Sequence, residues 1–475
     1  MRIYPKTLRK SSLRRRFRVC EGSSLFVQEE GGFALPSVLF LLTILSVLAF
    51  SLLSVTYLQN KIALKEIHQI QAEFAAQSGI ADLLDRLSED FVQPPYSQAF
   101  KYPDGSTSLT KATAWGGLLA IESVGRSHSE KVMRQALVAQ LPSKDLDAAL
   151  LLANPDHSLV LTGSARIRGE VIVGKAGVSV GTLRDYSTPM RVPIVGKITK
   201  KDRPQLPPYD SDILEGECAL FDLLIERLGN PEVRPERQIH LTGNQLLDLS
   251  EIADLTELIT VEGNLELTGL ISRRGSPLYL VSAGSVLIKP DTRLEGLIAV
   301  CANDELRTAQ ESRSDNVILY SRRGIILKSN DTLCGQFISP SVHVESGTYL
   351  QYPSLIFSIE PKNAKESQNV VLKSGSVVEG TVALLSTLSK ENNDDIVTLE
   401  NDAVVTGAIY SEGRVSLDGM VHGCVLTRDF YFYEAPTHYM GWIRKGIIDR
   451  PSLPKGFMSN PGLSGEEELG ILSWL

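Results

Sequence analysis

From Phe33 through Leu58 the chain runs twenty-six residues without a charged side chain, directly after the pair Gly31-Gly32. As a helix, at about 1.5 Å per residue, that run spans roughly 39 Å and can cross a ~30 Å hydrocarbon core. Residues 1–32 carry eight basic side chains (Arg2, Lys6, Arg9, Lys10, Arg14, Arg15, Arg16, Arg18) against three acids (Glu21, Glu29, Glu30). The positive-inside bias therefore predicts a cytoplasmic leader, with the rest of the chain beyond the membrane. A secretory signal peptide fits poorly, because its apolar region is usually 7–15 residues and ends at a small-residue cleavage site. An uncleaved single-span anchor fits the same pattern.

Past the apolar run, Ile62, Ile67, Ile70, Phe74, Ile80, Leu84 and Leu87 recur at helical spacings with charges between them, predicting an amphipathic continuation. Gln93-Pro94-Pro95-Tyr96 stops it. Asp104-Gly105 then reads as a turn, residues 118–126 as a strand, and residues 132–141 as its returning partner.

Basic leader, Gly32, then Phe33 opening a long apolar helix, resemble the class III signal of type IV pilins and secretion pseudopilins. The resemblance implies cleavage after Gly32 by a prepilin peptidase, methylation of Phe33, and a helix that serves as anchor and then as filament core. It implies packing against neighbouring pilins through Phe33, Ser37, Leu41, Leu45, Leu48 and Leu52. Where the family usually has Glu at the fifth mature position, this chain has Ser37, as in K-type pseudopilins and many X-type minor pilins near filament tips. The segment Ala72-Glu73-Phe74-Ala75-Ala76-Gln77-Ser78-Gly79-Ile80 resembles the A-E-A-G block of those types, and Ile121-Glu122-Ser123-Val124-Gly125-Arg126 their first β-element.

The rest of the chain carries a five-residue unit, apolar-x-Gly-x-apolar, centred on Gly169, Gly263, Gly269, Gly296, Gly335, Gly380, Gly407, Gly419 and Gly423. From Gly269 to Gly407 the main spacings are 27, 39, 45 and 27 residues. Gly lets the backbone turn tight corners, while each apolar pair needs a neighbouring rung to complete its burial. The expectation is a β-helix-like solenoid over about 146–426, loosely resembling bactofilin-type β-helices, with a β-sandwich as the alternative. Spacings above 30 suggest insertions at 303–316, 362–369 and 390–395. Residues 204–208 read as a Pro-rich crossing and 211–228 as a helix lying on the outside. The aromatics Phe430, Tyr431, Phe432, Tyr433, Tyr439 and Trp442 read as a cap over an open solenoid end, preferred to a carbohydrate-stacking platform.

The fold expected is thus α+β: a long transmembrane helix with a small pilin-like meander, then a β-solenoid. The expected divisions are a leader 1–32, helix 33–92, meander 93–145, solenoid 146–428 with a lateral helical insertion near 204–230, and cap 429–475. Removing the leader from a chain of net charge −8 leaves −13, which argues against nucleic-acid binding. Beyond Cys20 in the leader, Cys218, Cys301, Cys334 and Cys424 allow three pairings, and none has the C-x-x-C spacing of a zinc site. The seven histidines are scattered, without an H-E-x-x-H motif, and Asp394-Asp395 is the one adjacent acidic pair within an expected insertion.

These features predict a non-enzymatic pilin-like or pseudopilin-like component of a type IV pilus or type II secretion filament. Neither a cofactor nor a metal is expected. Its partners would be other pilins, prepilin peptidase and the bacterial inner membrane, crossed once with the N-terminus cytoplasmic. The alternatives are an uncleaved envelope scaffold or adhesin and, third, a polysaccharide-acting β-helix enzyme.

Overall fold

The computed structural model describes residues 34–89, 93–140, 147–183, 193–228, 237–253, 255–359, 367–386, 395–458 and 468–475. The fold is α+β: one long N-terminal apolar helix, a small antiparallel sheet, and a large parallel β-solenoid. Residues up to Glu66 and residues from Ile67 onward form two compact units.

In the first unit, helix α1 (Ala34–Glu89) begins with the uncharged run. By length and composition it can cross a membrane. Its apolar side chains are open on every side, as the consecutive residues Leu39, Phe40, Leu41 and Leu42 show.

In the second unit, the rest of α1 lies on strands β1 (Tyr96–Lys101), β2 (Thr107–Trp115), β3 (Leu118–Ser127) and β4 (Glu130–Gln140). The C-terminal strand Leu469–Trp474 completes this antiparallel sheet by pairing with β4. The helix buries Ala72, Ala75, Ala76, Ile80, Leu83 and Leu87. Here the expected stripe is corrected: Ile62, Ile67, Ile70 and Phe74 are all at least half exposed. The reason is distance. A Cβ on Gly125 would sit 1.9 Å from the Ala72 carbonyl oxygen and 2.6 Å from the Ala76 nitrogen, so helix backbone presses directly on strand backbone. Only small residues fit at that point of the face. A Cβ on Gly79 would instead meet the side-chain hydroxyls of Ser108, Thr110 and Ser123.

The solenoid has three faces per rung. One aliphatic position runs in register through the first face: Ile259, Leu280, Val300, Leu319, Phe337, Ile356, Val382, Ile409, Val425, Leu150 and Val171. All eleven are fully buried. Up to Val425, successive members lie 21, 20, 19, 18, 19, 26, 27 and 16 residues apart. The gaps of 39 and 45 between glycines therefore each hold two rungs. Asn316, with φ of 60°, turns one hidden corner, and Ser354 stands in register with Gly380 at the other. Asn tolerates left-handed backbone better than other side chains, which is how a corner escapes a search for Gly. The glycine units also mark different corners: Gly263 follows a first-face strand, Gly269 and Gly419 follow second-face strands, and Gly296, Gly380, Gly407 and Gly423 lead back to the first face. Residues 303–316 are no insertion; they hold strand Glu305–Thr308 and the next corner. The other two expected insertions fall mostly outside the described residues.

The stacking order does not follow the sequence. Val425 pairs with Leu150, and strand Ile447–Asp449 lies between strand Met420–Glu434 and strand Arg166–Arg168. The first rungs of the chain thus stack onto its last. After Ile198–Lys200, the chain returns to the opposite end along the outer surface of the first face. There Leu206 and Tyr209 pack beside Tyr410 and Leu426, and helix α2 (Asp212–Glu226) covers Cys301, Ile318 and Tyr320. Consequently the aromatics after Phe430 do not cap an open end; they sit within the stack. Residues 450–458 then run back over the glycine corners, Leu453 against Gly423 and Phe457 against Gly407, before the C-terminal strand rejoins β4. The solenoid is an insertion between two neighbouring strands of the small sheet.

Candidate functional site: the exposed apolar helix, and the joint between the small sheet and the solenoid

Gly32 and Phe33 lie outside the described residues. Ser37, Leu41, Leu45, Leu48 and Leu52 all lie exposed on α1, and their spacings of four, four, three and four place them on one side. Within the second unit, Ile67, Ile70 and Phe74 are also exposed, opposite the alanine face. Exposed apolar surface of this kind is a common mark of a face that lipid or another chain covers.

The turn Trp115-Gly116-Gly117-Leu118 couples the small sheet to the solenoid. Gln336 accepts a hydrogen bond from the Gly117 N–H (2.7 Å) and donates one to the Trp115 carbonyl (2.7 Å). The turn has no room for side chains: a Cβ on Gly116 would lie 2.2 Å from the Gln336 amide oxygen, and one on Gly117 would lie 2.7 Å from Phe357. Trp115 donates through Nε1 to the Asn316 carbonyl at 3.3 Å. A second amide repeats the arrangement, since Gln135 accepts from the Gly275 N–H (2.9 Å) and donates to its carbonyl (3.0 Å). Both glutamines are buried, so each such bond forms out of reach of water. Glu217 of α2 accepts from the Gly116 N–H at 3.3 Å, and burial pushes its carboxyl above the usual range. None of these joint residues has a sequence signature; the Trp-Gly-Gly turn was the one available signal.

Among the described residues, no group of three or more His, Cys, Asp or Glu could hold a metal ion. Asp395 is buried, and its two oxygens accept from the Gln368 N–H (2.8 Å) and the Ser386 hydroxyl (2.7 Å), which is bracing rather than an exposed carboxylate pair. The run Gly177-Val178-Ser179-Val180-Gly181 matches a hydrolase G-x-S-x-G only in spelling. Ser179 is the middle of a strand paired with Val160 and not at a strand-to-helix elbow. The four described cysteines are free thiols, and Cys301, Cys334 and Cys424 are buried. A polar open groove of about 430 Å³ on the second face is lined by Asp304, Glu305, Arg323, Ser341 and His343, with Arg323 paired to Asp304 at 3.4 Å.

No protein-family model matches this chain, and no curated protein does. Among solved structures, the crystal structure of the competence-associated pilin ComZ from Thermus thermophilus is similar at 13% identity, over 86% of this chain and 97% of that one, with a TM-score of 0.21. A likeness at that level decides nothing about function.

Proposed function

We propose that this protein is a non-enzymatic minor pilin-like or pseudopilin-like subunit of a type IV pilus or type II secretion type filament, carrying a β-solenoid outside the inner membrane. One observation carries the reading: an exposed apolar helix continues, without a break, as the helix that lays an alanine-glycine face on an antiparallel sheet, and the solenoid is inserted within that sheet. On this reading prepilin peptidase cuts after Gly32, and Phe33 becomes the new N-terminus. The helix first holds the subunit in the membrane and then packs on neighbouring pilins through the Ser37, Leu41, Leu45, Leu48 and Leu52 side. Ser37 in place of the family's Glu favours a position at or near the tip, where no subunit above needs a partner for its amino terminus. The two glutamine clamps tie the small sheet to the solenoid.

The test is the N-terminal residue and mass of the protein taken from its native membrane. Methylated Phe33, uncut precursor in a Gly32 variant, and co-purification with other pilins are the expected results. An intact Met1 with no pilin partners would replace this reading with an uncleaved envelope scaffold.

A further inference from the structure

Between Phe430 and Gly441 the chain leaves the coil, and the Gly441 N–H then bonds the Phe430 carbonyl at 2.8 Å, closing the rung again. The ten residues between form a two-stranded antiparallel ribbon, Tyr431 opposite Met440, Phe432 opposite Tyr439, and Tyr433 opposite His438. Alternation gives the ribbon two faces. One is packed: Phe432 stacks on Tyr439 at 4.5 Å, Trp442 closes on both, and the Arg444 guanidinium lies 5.4 Å over Phe432. Phe432 is accordingly buried.

The other face is ordered but open. The Tyr431 hydroxyl and His438 Nδ1 are 2.8 Å apart, and the His438 ring lies 4.8 Å from that of Tyr433. The Arg414 guanidinium sits 5.5 Å over the Tyr431 ring. Yet Tyr433 keeps 53% of its surface exposed, and His438 is exposed as well. Core burial does not account for these rings, and since the ribbon lies within the stack, neither does capping.

We infer that this face of the ribbon, Tyr431, Tyr433 and His438 with Arg414 at its margin, binds a pyranose oligosaccharide or polysaccharide. Size selects the ligand class. The face offers roughly a few hundred Å², given ~150–250 Å² for a fully buried aromatic side chain. A stable protein interface needs about 800 Å² per partner. One or two sugar rings need far less. Chemistry points the same way: the C–H face of a pyranose stacks on an aromatic ring while its hydroxyl edge takes hydrogen bonds, and here a guanidinium, an imidazole and phenols lie at the exposed rings. The inference does not depend on the pilin reading.

The test uses the full chain in detergent micelles on an array of neutral, N-acetylated and uronic-acid pyranose oligosaccharides, followed by calorimetric titration with the one retained best. Retention is expected, weakened at least tenfold by Tyr433→Ala, weakened by His438→Ala, and preserved by Tyr433→Phe, which keeps the stacking ring. Circular dichroism and the thermal transition establish that the variants are folded; if Tyr433→Ala is not, Tyr433→Thr, which suits a strand and lacks the ring, takes its place. No retention of any oligosaccharide, or retention indifferent to loss of the ring, overturns the inference. So does a concentration-dependent dimer that the same substitution abolishes, because the face would then belong to a second copy.

Discussion

Replacing Gly125 with Ala is the most direct probe of how α1 is seated. The new methyl would lie 1.9 Å from the Ala72 carbonyl oxygen and 2.6 Å from the Ala76 nitrogen, both backbone atoms that no rotamer change can move. Carbon-to-oxygen contacts settle near 3.3 Å, so the helix must retreat by about 1.4 Å at that point. A radial gap of 0.5–1 Å already forfeits roughly a quarter to a half of a contact's attraction. Ile80, Leu83 and Leu87 are each fully or almost fully buried against the sheet, and each such burial is worth about 1.5–3 kcal/mol. Losing about a third of their contribution, together with the alanine contacts, gives a cost of about 3 kcal/mol, at the upper end of ordinary overpacking. Hydrogen exchange read by mass spectrometry is the right assay, since a chain of two units need not unfold in one step. Amides of residues 72–87 should exchange about 150-fold faster, while those of the solenoid strands, whose stacking does not involve Gly125, should be unchanged. Exchange in 72–87 within about threefold of the parent would refute the close backbone contact, and equal acceleration in the solenoid would refute its independence.

Three further outcomes follow from particular contacts. Gln336→Ala leaves the Gly117 N–H and the Trp115 carbonyl unpaired in a buried joint, at a cost of about 2–4 kcal/mol, read as faster proteolysis at residues 115–118 with the solenoid core still protected. Asp331 is fully buried, accepts bonds from Thr308 and the Ser312 N–H, and burial pushes its carboxyl from 3.8 up to about 6. Because the folded state holds that proton more tightly, the group's stability contribution is complete below about pH 4 and is lost as pH rises through 6, by up to about 3 kcal/mol; Asp331→Asn should flatten urea midpoints across that window. Gly216→Ala, in α2 where an added methyl meets nothing within 4 Å, should stabilise that helix by about 1 kcal/mol, measured as slower exchange in 212–226.

What the sequence displays and what it conceals divide along physical lines. An uncharged run of twenty-six residues and a repeated apolar-Gly-apolar unit each admit few folds, and both elements are present. Ile80 and Leu87 are buried as their spacing predicts, but the face beside Gly125 was misjudged, because hydrophobic periodicity weighs Ile above Ala whereas the approach at Ala72 and Ala76 is too close for Ile. Rungs were hidden where Asn316 and Ser354 do the work of glycine. The exposed side of α1 that would meet neighbouring pilins is visible as composition alone. The joint is not, because a glutamine that bonds a distant backbone carries no local pattern.

Stacking order is the deepest gap, yet it has a cause. Every rung presents the same aliphatic edge, so Val425 could accept any of them and the sequence cannot say that it accepts Leu150. The insertion geometry can. Gln140, where the chain leaves β4, is the register partner of Leu469, where it returns, so the solenoid must begin and end at nearly one place. Among the described residues thirteen strands stack in register on the first face, from Gln238–Leu241 to Ile198–Lys200. At about 4.8 Å per strand they extend for about 58 Å, and stacking in chain order would hold the two ends that far apart. Placing the first rungs directly beside the last removes the separation: Leu150 lies against Val425 and Arg166 against Ile447. The cost is a single long traverse toward the far end, of which residues 201–228 are described. That traverse is the Pro-rich segment and α2, and it covers the apolar outer surface of the first face as it goes. The lateral helix is therefore not an ornament on the solenoid but the connection that lets a solenoid be inserted between two neighbouring strands.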